Sequence, residues 1–388
     1  MTRTVGHFRR RYLPLTETFV YNYLSSHRRY DQFLCGVHAE NLEKFQFEPR
    51  HLFEELPRWS PRFCAYGALA KSGLRGLNRT YYADVVRAED PDVLHAHFGP
   101  MGVELRPHRT PARPLVTSFY GYDASRLVDG NEAVRSAYRD LFATGDLFLA
   151  EGPSMREKLL GLGCPESKVA LQRIAINTER IDPCYPRPDG MWRVLMVGRF
   201  VEKKGMPDGI RAFARALGDV DGAELRIVGG ESGEATRADL EAVAAECGVR
   251  DRVTFTGFLE HGEYLEEVRN CDLVLAPSKT AASGDSEGGA PTVLLEAQAS
   301  GKPIVSTTHA DIPYVVEADV AGKLATPGDV AEIADALRWA VDHPAALAAM
   351  GEAGREHVER RHDVRELVEQ LERRYDRLCC PDDADGSR

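Results

Sequence analysis

The residues best suited to chemistry are concentrated late in the chain, where an acidic residue leads into a loop of small residues. Glu287 precedes the loop Gly288-Gly289-Ala290, and Pro291 stands where the first turn of a helix would begin. Such a loop presents backbone N–H groups at the positive end of the helix dipole, which favours an anion such as a diphosphate. Thr292 either binds phosphate or caps the turn, and Glu296, on the next turn, is a candidate acceptor of hydrogen bonds from sugar hydroxyls.

A basic block earlier in the chain offers positive charge for such an anion. Arg193–Val197 is an apolar run that predicts a strand. The strand ends at Gly198-Arg199, and Lys203-Lys204-Gly205 follows after a short loop. The two blocks together resemble the donor site of the large family 4 of retaining, nucleotide-sugar-dependent glycosyltransferases, which have the GT-B fold. The resemblance covers nearly the whole chain, is strongest from 190 to 310, and is closest to members that build exopolysaccharides such as colanic acid.

The resemblance implies roles for the basic block. Arg199 and Lys204 would bind the donor diphosphate, with Gly198 beside them, and Lys203 would be a solvated neighbour. Such a site lowers the activation barrier most by stabilising the charge that develops on the departing phosphate. Arg199 and Lys204 are therefore candidate catalytic residues.

The acidic pair departs from the family pattern. Glu287 and Glu296 are one residue further apart than usual, and the small-residue loop between them can absorb the insertion without shifting the helix. The resemblance implies that Glu296 binds the ribose of the donor. It also implies that Glu287 contacts the transferred sugar and is the third candidate catalytic residue, with a solvated loop carboxylate as the alternative.

A glycine-rich turn is a secondary candidate for donor binding. Leu225–Gly233 predicts a strand that runs into Gly229 and Gly230, where the backbone can approach a ligand closely. A plain tight turn is the alternative, because the segment lacks the spacing of a nicotinamide or flavin site.

We expect neither a metal nor a bound cofactor, with the nucleotide sugar as co-substrate. No Asp-x-Asp motif follows a predicted strand, and Asp383-Ala384-Asp385 lies in the terminal tail. The eight cysteines show no metal-ligand spacing, which argues against zinc. The leaving diphosphate would therefore be neutralised by Arg199, Lys204 and the helix start near Thr292.

The N-terminal half carries candidates for the acceptor side. His97 ends a predicted strand, and the carboxyl ends of parallel strands face the ligand crevice in open α/β sheets, although a core histidine is the alternative. Tyr120 stands where the family has a histidine that often contacts the transferred sugar. A phenol cannot serve as a general base near neutral pH. Asp123 is either an acceptor-side carboxylate or a structural turn residue, and Thr18, in a segment that resembles the Glu-Thr-Phe of exopolysaccharide-type members, is either a site residue or a helix cap.

Strands that alternate with helices predict an α/β protein with two doubly wound Rossmann-like domains, which face each other in the resembled fold. The proline-rich segment 181–190 predicts the linker. We predict an acceptor-binding domain at 1–182, a donor-binding domain at 191–360, a helix at 361–378 that crosses back to the first domain, and a flexible tail at 379–388. The expected strands of the first half are Gln32–Ala39, Asp92–Phe98, Pro114–Tyr120, Leu147–Glu151 and Lys168–Ile176. Those of the second half are Arg193–Val197, Glu224–Gly229, Arg252–Phe258, Leu273–Pro277 and Pro303–Thr307. The expected helices of the second half are Asp208–Leu217, Arg237–Cys247, Tyr264–Asn270, Asp329–Val341 and Ala345–Leu378.

Composition limits the partners. The net charge of −11 over 388 residues argues against a nucleic-acid binder. No apolar run is long enough to span a bilayer. The N-terminus, Met1–Phe8, enters a strand-like segment and lacks the apolar core of a signal peptide, so we expect a cytoplasmic protein. The segment 60–82 has basic and aromatic residues but no acidic ones, which suggests peripheral contact with an anionic membrane; an ordinary basic surface helix is the alternative.

The sequence as a whole predicts a retaining hexosyltransferase that moves a sugar from a nucleoside diphosphate to a hydroxyl of a glycan, a lipid-linked glycan or a small molecule. Two alternatives stay open, a nucleotide-sugar epimerase on the same architecture and a non-catalytic nucleotide-sugar-binding protein.

Overall fold

The computed structural model describes residues 2–14, 17–65, 77–186 and 190–380. Within these ranges the chain forms two compact units, each built on a parallel sheet. The predicted α/β class with two Rossmann-like domains is therefore confirmed. The middle of the segment 60–82 and the tail with Asp383-Ala384-Asp385 lie outside the described residues, so membrane contact stays a prediction.

The first unit comprises the chain up to Glu151, Met155–Ala175 and the chain from Val364 onward. Its described strands are β1 (Arg3–Phe8), β2 (Tyr30–Gly36), β3 (Arg50–Leu52), β4 (Val93–His97), β5 (Leu115–Phe119), β6 (Leu147–Ala150) and β7 (Val169–Leu171). They form a parallel sheet in the order β3-β2-β1-β4-β5-β6-β7. Every residue of β4 and β5 is buried, as expected for strands that helices cover on both faces. The helices up to residue 161 are α1 (Thr18–Leu24), α2 (Leu77–Glu89), α3 (Gly99–Leu105), α4 (Glu132–Thr144) and α5 (Pro153–Gly161).

The second unit comprises Gly152–Ser154 and Ile176–Asp363. Its described strands are β8 (Trp192–Val197), β9 (Ala223–Val228), β10 (Val253–Gly257), β11 (Leu273–Ala276), β12 (Ile304–Thr307) and β13 (Gly322–Ala325), in the order β10-β9-β8-β11-β12-β13. Its helices are α6 (Met206–Leu217), α7 (Arg237–Glu246), α8 (His261–Asn270), α9 (Thr292–Ala299), α10 (Ile312–Val315), α11 (Val330–Asp342) and α12 (Pro344–Arg361). Since β8 lies between β9 and β11, the order reverses at β8, and the carboxyl ends of β8 and β11 form the switch point where such sheets bind ligands.

The predicted strands are present with their ends shifted by a few residues, except that the strand expected over Lys168–Ile176 shrinks to β7. The sequence does not predict the edge strands β3 and β13. Both are short and only partly buried, so they lack the apolar run that marks an inner strand.

The prediction of one helix over Ala345–Leu378 is wrong. α12 ends at Arg361, and a separate helix, α13, covers Val364–Cys379. The two residues between them bind other backbone and side-chain groups of the second unit. The carbonyl of His362 accepts a hydrogen bond from the N–H of Ile176 at 2.8 Å, and the carboxylate of Asp363 accepts one from the hydroxyl of Thr178.

The units also divide earlier than the proline-rich segment suggests. The boundary lies between Ala175 and Ile176, and the following residues pack on the second unit. The Arg355 guanidinium donates to the carbonyl of Ile181 at 2.6 Å, and the N–H of Cys184 donates to the carbonyl of Ser300 at 2.9 Å. The proline-rich segment is therefore hydrogen-bonded to the second unit at Ile181 and Cys184 and is not a free linker there.

α13 belongs to the first unit, as the resembled fold implies. Its apolar face packs with the inner strands in one buried cluster that includes Val5, Val116, Leu367 and Leu371. Glu372 fixes the helix to the loop before β2. Its buried carboxylate accepts hydrogen bonds from the backbone N–H groups of residues 28 and 29, at 2.8 and 3.0 Å, and lies 3.2 Å from the His27 imidazole.

This carboxylate makes the anchoring of α13 depend on pH. Burial alone would favour its protonated form, but the hydrogen bonds from His27 and the backbone outweigh burial and lower the pKa of Glu372 to about 2. Because the folded pKa lies below the ordinary value of 4.5, the stabilisation is complete above that value. It is lost as the pH falls from about 4.5 towards about 2.

We expect Glu372→Gln to lower the free energy of unfolding by about 1–3 kcal/mol at pH 7, because a charged acceptor of several hydrogen bonds is lost. The difference between the variant and the parent should shrink below pH 4.5. Calorimetric melts from pH 7 to pH 3 measure both quantities. Glu369→Gln, an exposed substitution on the same helix, is the control and should stay within about 0.5 kcal/mol of the parent. A constant difference at all pH values would refute the anchoring role.

Candidate active site

The turns after β8 and β9 approach each other so closely that only glycine fits. Gly229 has a φ of +129°, and a Cβ there would lie 1.9 Å from the carbonyl oxygen of Gly198. Gly205, at φ +63°, would bring a Cβ to 2.0 Å from the carbonyl oxygen of Pro277, just after β11. These contacts bring the turns after β8, β9 and β11 together at the switch point.

Two of the predicted catalytic residues form an ion pair there. Lys204 Nζ lies 2.7 Å from Glu287 Oε1, and both side chains are largely buried. The hydroxyl of Ser278 donates to the same oxygen at 3.1 Å. Burial alone would raise the pKa of Glu287, but the charges of Lys204 and Lys203 lower it. Glu287 is therefore ionised at neutral pH and can accept hydrogen bonds but not donate a proton.

Arg199 differs from Lys204 in its surroundings. It follows Gly198 at the end of β8 and is exposed to solvent. It makes no ion pair with any residue that the structure describes. The loop after β8 thus carries two positive groups, the largely buried ammonium of Lys204 and the solvated guanidinium of Arg199, and the guanidinium can meet an incoming anion.

The expectation that Lys203 is a solvated neighbour is wrong. Lys203 is 8% exposed, and its Nζ lies 3.2 Å from an Asp285 carboxylate oxygen and from the carbonyl oxygen of Ser286. Both lysines of the pair therefore contact the loop that precedes the small residues. Lys203 binds the carbonyl oxygen of Ser286 and the carboxylate of Asp285, and Lys204 binds Glu287.

The small-residue loop is buried and leads directly into α9. Gly288, Gly289 and Ala290 are all buried, and α9 begins at Thr292, which is half-buried. Pro291 is the residue before the first helical one, rather than the first turn itself, and no side chain caps the helix. The start of α9 thus follows the Lys204–Glu287 pair with its backbone N–H groups available to an anion.

Glu296 is held by two side chains that the sequence analysis missed. The Tyr264 hydroxyl donates to Glu296 Oε2 at 3.0 Å, and His261 Nε2 lies 3.1 Å from Glu296 Oε1. Both partners lie on the first turn of α8, three positions apart, so they face the same side of that helix. The spacing of His261 and Tyr264 was the only signal in the sequence for this contact. Glu296 lies on another helix, α9, which follows a different strand.

An exposed aromatic residue lies beside the glycine turn. Phe258 follows β10 and is 63% exposed, and a Cβ on Gly230 would lie 2.7 Å from its ring. Gly230 therefore leaves room for the Phe258 ring at the carboxyl end of the sheet. Both glycines are needed for the packing of these turns, and their role in donor binding stays a prediction.

In the first unit, His97 and Tyr120 are hydrogen-bonded to each other. His97 Nδ1 lies 2.8 Å from the Tyr120 hydroxyl, and His97 Nε2 lies 3.1 Å from His7 Nδ1. Burial lowers the pKa of His97 and raises that of Tyr120, so the imidazole is neutral and the phenol stays protonated at neutral pH. His97 is therefore buried, and it lines one small pocket of the first unit together with Tyr120. A role on the acceptor side stays a prediction.

Asp123 binds backbone groups of the first unit, and Thr18 is not a helix cap; an acceptor-side role of either residue stays a prediction. The Asp123 carboxylate accepts hydrogen bonds from the N–H of Gly99 at 2.8 Å and of Tyr120 at 3.0 Å. Burial raises the pKa of Asp123 to about 6. Thr18 is the first residue of α1 and half-buried, and the cap position belongs to Glu17.

One group of side chains in the described part of the chain has the composition of a metal site. Ring nitrogens of the buried His7, His95 and His97 lie within 4.8 Å of one another. Both nitrogens of His95 are engaged, one with the Ser118 hydroxyl at 2.8 Å and one with the Tyr375 hydroxyl at 2.6 Å. Both nitrogens of His97 are engaged as well, whereas Nε2 of His7 is buried without a hydrogen-bond partner in the described part of the chain. The expected absence of a metal stays a prediction.

Comparison with known proteins identifies the family. The model of Glycosyl transferases group 1 matches residues 177–357, and that of Glycosyltransferase Family 4 matches residues 37–180. The putative colanic acid biosynthesis glycosyltransferase WcaL of Escherichia coli is 33% identical over 282 residues, 71% of this chain and 68% of that protein. The chain belongs to the glycosyltransferase family that these two models and WcaL represent.

Further relatives agree with this assignment. The amylovoran biosynthesis glycosyltransferase AmsK of Erwinia amylovora is 34% identical over 293 residues, 73% of this glycosyltransferase and 70% of that one. The structure of Anabaena HepE in complex with UDP and glucose matches with a TM-score of 0.77 at 18% identity, over 96% of this chain and 99% of that chain. The expected GT-B fold is confirmed. No helix in the described ranges of the glycosyltransferase is long and apolar enough to cross a membrane.

The surroundings of Arg199 and Lys204 predict different effects of removing each charge from the glycosyltransferase. We expect Arg199→Ala to lower kcat by roughly 100-fold or more, as for loss of one charge-stabilising group, with an unchanged Tm. Lys204→Ala should lower kcat by a similar factor and also lower Tm. It removes the ion-pair partner of the buried Glu287 carboxylate, a loss that costs about 3–5 kcal/mol.

Steady-state kinetics and thermal melts of purified variants measure both effects. Lys323→Ala is the control, because its ammonium pairs with Asp319 on the surface at 2.6 Å. Near-parent turnover in both active-site variants would remove these residues from the catalytic machinery.

Proposed function

We propose that this glycosyltransferase moves a sugar from a nucleoside-diphosphate donor to an acceptor hydroxyl, with retention at the anomeric carbon and without a metal ion. The observation that carries the proposal is the group at the switch point of the second sheet. Arg199, Lys204 and the start of α9 supply positive charge, and Glu287 and Glu296 supply hydrogen-bond acceptors.

The positive groups suit the departing diphosphate. Lys204 donates to Glu287 in this structure, and its flexible stem allows it to turn to a phosphate oxygen. Arg199 is solvated and can form a paired hydrogen bond with two phosphate oxygens. Fixed charges at the position where negative charge develops lower the barrier most. We infer that they take the place that a bridging metal has in other transferases.

The acceptors suit the polyhydroxylated parts of the donor. Glu287 is ionised and would accept hydrogen bonds from hydroxyls of the transferred sugar once Lys204 turns to the diphosphate. Glu296 would accept hydrogen bonds from the ribose. The complex of HepE with UDP and glucose supports a donor of this class.

The first unit would bind the acceptor. Tyr120 can donate a hydrogen bond, but its raised pKa prevents it from acting as a base. A retaining transfer in which the leaving phosphate takes the acceptor proton needs no protein base. The acceptor oxygen bonds to the anomeric carbon on the face from which the diphosphate departs. The bond between that carbon and the phosphate oxygen breaks, and the acceptor proton passes to the departing phosphate.

The names of the relatives support a role in polysaccharide synthesis. WcaL is named for colanic acid and AmsK for amylovoran, both at about a third identity to this chain. We propose that the acceptor is a growing glycan, and that the segment 60–82 brings the enzyme to an anionic membrane surface when that glycan is lipid-linked.

Donor turnover with and without acceptor tests the proposal. We expect UDP-, GDP- or ADP-sugars to release nucleoside diphosphate faster when a glycan acceptor is present, and the rate to persist in EDTA. NMR of the product should show the anomeric configuration of the donor.

Each alternative has its own outcome in this experiment. An isomerised nucleotide sugar without acceptor would indicate an epimerase, and binding without turnover would indicate a binding protein. Activity lost in EDTA and restored by magnesium or manganese would contradict the metal-independent mechanism.

A further inference from the structure

The carboxylate of Glu296 is bound by neutral or weakly basic donors, unlike that of Glu287. Glu296 is 8% exposed, and its two oxygens accept from Tyr264 and His261, one each. In the described part of the chain it has no lysine or arginine partner. A carboxylate has about four lone-pair sites, so two remain for a ligand.

The two donors hold the carboxylate in one orientation. One hydrogen bond would leave the group free to rotate, whereas a bond to each oxygen fixes its plane. The first turn of α8 is itself fixed by a capping box, in which Glu260 and Glu263 each accept a hydrogen bond from the other residue's N–H. The positions of His261 and Tyr264 are thus determined before any ligand arrives.

Both partners remain donors at neutral pH. Burial raises the pKa of Tyr264 well above its ordinary value, so the phenol keeps its proton. The hydrogen bond to Glu296 raises the pKa of His261, despite partial burial. The His261 side chain is 51% exposed, so the pair opens to solvent on this side, where a hydroxyl can approach.

We propose that His261 and Tyr264 are positioning residues that aim Glu296 at the two hydroxyls of a ribose, and that the enzyme therefore selects ribonucleoside-diphosphate sugars over their 2′-deoxy counterparts. The inference rests on the proposed function, because Glu296 must meet the nucleoside part of the donor. A site built to bond a hydroxyl strongly disfavours the analogue that lacks it, since a buried acceptor is then left unpaired.

The affinity ratio between ribo- and 2′-deoxy nucleotides separates this role from a merely structural one. Calorimetric titrations use the pairs UDP/dUDP, GDP/dGDP and ADP/dADP, together with inorganic pyrophosphate. For the pair that binds, the parent should favour the ribonucleotide by about 10-fold or more. Tyr264→Phe and His261→Ala should each lower this ratio by about 3- to 10-fold, while the affinity for pyrophosphate stays within about twofold.

Two further variants complete the design. His261→Gln keeps an N–H donor at a similar reach and should retain most of the ratio. Tyr138→Phe removes another buried hydroxyl, bonded to the carbonyl of Asp123 at 3.0 Å in the first unit, and should leave all affinities unchanged. NMR titration should show the pKa of His261 falling in Glu296→Gln, because the partner that raises it is neutralised.

Each failure has its own signature. If Tyr264→Phe and His261→Ala weaken the ribo- and 2′-deoxy nucleotides equally, the two residues only tie α8 to α9 and the inference is wrong. The inference is also wrong if the unsubstituted enzyme binds the ribonucleotide and its 2′-deoxy counterpart equally, while the proposed function survives. A parent that binds none of the six nucleotides overturns the proposed function together with the inference.

Discussion

The ion pair between Lys204 and Glu287 is the interaction on which the donor site depends. It joins the loop after β8 to the loop after β11, the neighbouring strands at which the order of the second sheet reverses. Two largely buried charges are stable only together, so neither loop can move far without leaving a charge uncompensated. The same pair keeps Glu287 ionised and holds the Lys204 ammonium against the loop that leads into α9.

The order of the strands then assigns each part of the proposed donor a place along one edge of the sheet. The loop after β11 carries Glu287, which we propose binds the sugar, and the loop after β8 carries Arg199 and Lys204, which we propose bind the diphosphate. The helix after β10 carries the side chains that hold Glu296 for the ribose. A diphosphate would take Lys204 from Glu287 and so free the carboxylate for sugar hydroxyls. Under this proposal, donor binding and activation of the site would be coupled through one exchange of partners.

The sequence predicted the fold class, the inner strands and the two blocks that meet at the switch point, because these depend on local apolar runs and on turn residues. It was wrong about Lys203 and about the helix over Ala345–Leu378, since both depend on partners distant in the chain. Lys203 is buried in an ion pair with Asp285. The helix is interrupted at residues 362 and 363, which accept hydrogen bonds from Ile176 and Thr178. His261, Tyr264 and His7 were missed for the same reason. Each is an ordinary residue in its own segment, and only the tertiary fold brings it to Glu296 or His97.

A crystal structure of the full chain with a bound nucleoside diphosphate tests the central claim most directly. The account predicts phosphate oxygens at hydrogen-bond distance, about 2.7–3.2 Å, from Arg199 and from a Lys204 that has left Glu287, with the ribose hydroxyls on Glu296. A nucleotide bound elsewhere, with the Lys204–Glu287 pair intact, would contradict it.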